Sequence, residues 1–132
     1  MRSSVLMKLC LSLIHILKMA QILDSRKGED ILMIDVREST ILADWFVVAT
    51  GRSTTHVRTL AEELEEKLAK EENLHKLRAE GAKEARWIVL DYGNVIVHIF
   101  HKDEREFYDI ERLWETGDNS AVYSPSAEPT PQ

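Results

Sequence analysis

The clearest pattern of apolar and polar positions in the chain runs from Trp87 to Phe100, WIVLDYGNVIVHIF. Two apolar runs meet at Gly93-Asn94, and glycine supplies the positive φ that a tight, twist-matched hairpin turn requires. With that turn, Tyr92 faces Val95, Asp91 faces Ile96, Val89 faces His98 and Trp87 faces Phe100. Side chains alternate across a sheet. One face therefore carries Ile88, Leu90, Tyr92, Val95, Val97 and Ile99, which suits a core. The other carries Trp87, Val89, Asp91, Ile96, His98 and Phe100. Two large aromatics, an acid and an imidazole on one face are common in protein-binding surfaces. Trp87, Asp91, His98 and Phe100 are accordingly the candidate partner-binding residues; for Trp87, plain core packing weighs equally.

Elsewhere the pattern predicts a helix ending near Ser25, with Leu9, Leu13, Ile16, Leu17 and Ala20 on one stripe. Ile31–Val36 reads as a strand. Asp44–Thr50, DWFVVAT, is apolar after its first residue, as a central strand buried on both faces would be. Gly51 breaks it and Ser53 is a good N-cap for a helix with Val57, Leu60, Ala61, Leu64 and Leu68 along its inner stripe. Asn73 ends that helix, and Leu74–Ala79 alternates like an edge strand. Asp103–Glu115 reads as a last helix with Phe107, Ile110 and Trp114 as its stripe, terminated by Gly117. The order α-β-β-α-β-β-β-α predicts an α/β fold: a mixed sheet of about five strands flanked by helices.

Composition narrows the function classes. The 132 residues suit one domain. The net charge of -6, from 17 basic and 23 acidic residues, argues against a surface built to neutralise nucleic-acid phosphates, and permits attraction to a basic protein. The single cysteine, Cys10, excludes an internal disulfide. Met1–Leu17 has a signal-like apolar run, but Lys8 and His15 interrupt it and no small-residue cleavage site follows. It is also too short and too interrupted to span a membrane. Residues 118–132 hold Ser, Thr, Glu and all three prolines, so a disordered tail is expected there.

Candidate chemistry is thin. Gly51-Arg52-Ser53 is similar to the Gly-Ser turn of nucleotidyltransferases, where helix N-terminal amides hold phosphates. Such enzymes then need paired carboxylates to hold metal ions, and Leu74–Ala79 has none. Capping is the preferred reading of Ser53. His98 and His101 fall on different faces and lack a cysteine nearby, so no metal is expected. Asp35, Asp44 and Asp91 stand at strand ends, where acids commonly accept from turn amides. The Glu62–Glu72 charge run reads as a solvated helix face. No catalytic residue and no cofactor are expected.

Four stretches carry a resemblance: KGEDILMIDV (27–36), ADWFVVATGRSTTHV (43–57), EG (80–81) and EARWIVLDYGNVIVHIFHKDEREFYDIERLW (84–114). With them the chain resembles the RsfS/Iojap family of ribosomal silencing factors. Trp45 stands where tyrosine is more usual, and Asn94 where aspartate is. The resemblance implies a nucleotidyltransferase-like fold without transferase activity. It implies a cytoplasmic translation repressor that binds ribosomal protein fourteen of the large subunit and sterically blocks joining of the small one. It also implies that the free protein can form a homodimer, and requires neither nucleic-acid contact nor a membrane. The alternative is a degenerate, nucleotide-binding enzyme using Gly51–Ser53. Residues 1–16 have no counterpart in the family and are expected to be an extension, not necessarily native. Residues 17–117 form the domain and 118–132 the tail.

Overall fold

The structure, a computed structural model, describes the backbone of residues 2–123 and the side chains of residues 13–123. A mixed α/β sheet is built from β1 (Glu29–Asp35), β2 (Trp45–Gly51), β3 (Arg78–Glu80), β4 (Trp87–Asp91), β5 (Val95–His101) and β6 (Ser120–Val122). Their order across the sheet is β3-β4-β5-β2-β1-β6. Among the described residues six strands replace the expected five or so. β2 and β5 are parallel, while the remaining neighbours are antiparallel.

Helices α1 (Arg2–Ser25) and α2 (Thr54–Glu72) cover one face. α2 forms as its pattern predicts. Ser53 Oγ accepts from the His56 amide at 3.0 Å, Asn73 turns left-handed at φ 51, and Val57, Leu60, Ala61, Leu64 and Leu68 are all buried. They pack on Ile88, Leu90, Val95, Val97 and Ile99, the predicted core face of the hairpin. Gly51 is required by close approach, because a Cβ there would lie 2.7 Å from Val57 Cγ2.

The opposite face is covered only in part, by α3 (Lys102–Tyr108) and α4 (Ile110–Trp114). The expected single helix is broken at Asp109, which adopts φ 46, a conformation that aspartate tolerates better than most residues. The break leaves Ile110 buried but swings Phe107 outward, 80% exposed, against the expected stripe.

Two further expectations are corrected. α1 buries Ile16, Met19, Ala20 and Leu23, whereas Leu13 and Leu17 are about half exposed. The segment is apolar on several sides, so its periodicity left the inner face ambiguous by a fraction of a turn. Leu9 and Cys10 lie outside the described side chains. The expected tail begins with structure: Ser120–Val122 pairs with Ile34–Leu32 of β1. Asn119 anchors the approach, donating to the Asp35 and Trp114 carbonyls at 2.9 Å each and accepting from the Thr116 amide at 2.7 Å. Residues 124–132 lie outside the described part. Among the described residues no helix is long and apolar enough to cross a membrane.

Candidate functional site

The hairpin register is the predicted one: Trp87 opposite Phe100, Val89 opposite His98, Asp91 opposite Ile96. Its turn is held by the Tyr92 amide donating to the Val95 carbonyl and by Gly93 at φ +88. All four candidate residues therefore share one sheet face. They do not share an environment. Phe100 is wholly buried and His98 is 7% exposed, because Phe46 of β2 and the α3–α4 segment close over that part of the face. Trp87 and Asp91 stay half-buried. The partner-binding set expected from alternation thus divides into two residues at the surface and two beneath it.

The open part of the face lies toward the β3 edge. Val89, Asp91 and Ile96 line a shallow groove with Arg78 and Glu80, which β3 places opposite Asp91 and Val89. Val89 and Ile96 were legible in the alternation. Arg78 and Glu80 were not, since only the β3 register brings them there. Asp91 has two tasks. Its Oδ1 accepts from the Gly93 amide at 2.8 Å, and its Oδ2 lies 3.7 Å from the Arg78 guanidinium.

Trp87 sits in a slot. It stacks on Phe100 with centroids 4.8 Å apart and meets Tyr108 of α3 at 5.0 Å. Its Nε1–H donates to His98 Nδ1 at 3.2 Å. Burial pushes the His98 pKa from 6.5 down to about 4. The unfolded chain takes up that proton near pH 6.5 and the folded chain only near 4. Stability from the neutral ring is therefore full above pH 6.5 and is lost as the pH falls toward 4. Urea midpoints measured across this range are expected to fall in the parent chain and to fall less in His98→Leu. Parallel curves would remove the buried histidine from the acid response.

The Gly51–Ser53 turn is closed by the chain itself. The Arg52 amide donates to His56 Nδ1 at 2.9 Å, His56 Nε2 bonds the Arg26 carbonyl at 2.8 Å, and the Arg52 guanidinium pairs with Glu29 at 2.7 Å. The Arg52 and His56 amides are thus already spent on side chains of this chain. The larger groove, about 630 Å³, is lined by Glu29, Asp30, Glu106, Asp109, Glu111 and Glu115, among others. Its Arg105 is already bonded to Glu111 and Thr50, at 2.7 Å each. Six carboxylates against Lys102 and Arg105 leave that lining net negative, which disfavours phosphate. His101 accepts from the Asp103 amide at the start of α3, and Asp35 accepts from the Arg37 amide, both structural tasks. The acidic face of α2 is less solvated than expected: Glu71 pairs with Lys18 at 2.6 Å and Glu63 with Arg26 at 3.1 Å, tying α2 to α1.

Comparison with known proteins places this geometry. A family model described as "Ribosomal silencing factor during starvation" matches residues 12–132. The chain is 41% identical over 91 residues to the ribosomal silencing factor RsfS of Bacillus subtilis, covering 69% of this chain and 76% of that one. A crystal structure from Bacillus halodurans is 34% identical, with a TM-score of 0.67, over 82% of this chain and 98% of that one. More distantly, it is 28% identical over 98 residues to a mouse protein named "Mitochondrial assembly of ribosomal large subunit protein 1", covering 73% of this chain and 43% of that one. On these matches, the chain belongs to the RsfS family of ribosomal silencing factors.

Proposed function

We propose that this chain binds a basic protein of the large ribosomal subunit, ribosomal protein fourteen, and represses translation by occupying the surface on which the small subunit docks. The observation that carries this reading is the open part of the β4–β5 face. There an indole, two aliphatic residues and a carboxylate lie half-buried on a chain of net charge -6. Such a face offers an apolar anchor and a charge complementary to a basic protein. Occupation alone blocks joining, so no reacting group is needed, and Ser53 Oγ, which accepts from the His56 amide, is read as a helix cap. The mouse relative's name, which refers to the large subunit, supports the choice of subunit.

The test sediments the purified chain with separated small and large subunits, then with both together. It is expected to travel with large subunits and to lower the yield of joined ribosomes. Binding to small subunits alone, or undiminished joining at saturation, would overturn the proposal. The same run without ribosomes reads the homodimer that the family resemblance implies.

A further inference from the structure

We propose that His98 is a positioning residue: by accepting the indole N–H it fixes the orientation in which Trp87 meets the ribosomal partner. This rests on the reading that the open β4–β5 face is the binding surface. The argument begins from a cost. His98 is 7% exposed, and among the described residues its buried Nε2 has no hydrogen-bond partner. Its Nδ1 accepts from Trp87, so the proton of the neutral ring resides on Nε2, the orphaned atom. A buried donor without an acceptor is unfavourable, and a leucine here would avoid it. Packing alone therefore gives no reason for an imidazole between Phe46, Phe100 and Trp87.

The bond to Trp87 gives one. Trp87 and His98 are diagonal neighbours on the antiparallel pair, within reach of aromatic side chains. Phe100 and Tyr108 hold the indole between them but leave its rotation within the slot undetermined. The N–H bond to His98 selects one rotation, turning the nitrogen edge into the sheet. The indole then has no donor left to offer. What it presents outward is apolar edge, which fits an aliphatic stem of the partner and not a hydrogen-bond acceptor.

Three variants test this: His98→Leu, His98→Asn, whose Oδ1 occupies the place of Nδ1, and Trp87→Phe, which lacks the N–H. Each is measured for melting temperature and for affinity toward purified large subunits. His98→Leu is expected to stay folded and to bind about fivefold more weakly, the worth of one ordinary hydrogen bond. His98→Asn is expected to recover most of that loss. In a Trp87→Phe background, His98→Leu is expected to cost nothing further. If Trp87→Phe weakens binding while His98→Leu binds like the parent, the positioning role is overturned and the surface reading stands. If Trp87→Phe itself binds like the parent, the indole N–H has no part in binding and the positioning role is overturned, whereas the surface reading falls only if Trp87→Ala also binds like the parent. Should leucine fail to fold, His98→Val, a strand-favouring residue, carries the same comparison.

Discussion

Leu64→Ala is expected to destabilise the chain by roughly 2–5 kcal/mol, the range for truncating a fully buried leucine. Leu64 is wholly buried on the inner stripe of α2, against the core face of the sheet. Only part of the loss is the transfer of its methyl groups to water. The rest is the cavity left between a helix and a sheet that cannot close on each other, because α2 is held at both ends by Ser53 and Asn73. Glu66→Ala, two positions on and exposed, is the control and should change stability by less than about 0.5 kcal/mol. Denaturant unfolding of the two variants checks both values. Equal losses would mean that the helix presents a different face to the sheet.

Trp87→Ala is expected to weaken binding to large subunits by about 2 kcal/mol, or about 30-fold, as truncating an aromatic anchor commonly does. The indole also stacks on Phe100, so some stability is lost with it, and affinity is to be compared per folded molecule. Asp91→Asn separates charge from structure more cleanly. Asparagine keeps an oxygen for the Gly93 amide and discards the charge that Arg78 and a basic partner would face. Its melting temperature is expected to stay near that of the parent, while binding weakens and loses part of its salt dependence. Unchanged affinity in both variants would place the interface on another surface.

The elements whose information is local were legible in the sequence. The hairpin register follows from one glycine and strict alternation, and the inner stripe of α2 from 3.6-residue spacing between a serine cap and an asparagine stop. β2 was legible as a central strand because six of its seven residues are buried and nearly all are apolar. What escaped depends on distant pairings. β6 is a Ser-Ala-Val triplet, too short to signal a strand by alternation, and its pairing partner β1 lies most of a chain length away. The break at Asp109 is one residue's choice of φ inside a run of good helix formers. The candidate site divides along the same line. Alternation put Trp87, Asp91, His98 and Phe100 on one face. Which of them reach the surface was decided by where α3 and α4 came to rest, a matter of tertiary packing that no spacing encodes.

The short pairing of β6 with β1 also bears on how the protein stays dispersed. β1 carries Leu32, Met33 and Ile34, an apolar strand that would make a ready template for another chain if its outer edge were free. Three residues of β6 stand in the way. At the far side of the sheet the edge strand is three residues long and bears Arg78 and Glu80, charges that discourage strand addition. One margin is thus guarded by charge and the other by a strip of the protein's own backbone. Losing the segment after Gly117 would leave the Trp87, Asp91 and His98 contacts of the binding face intact and still turn the molecule toward self-association.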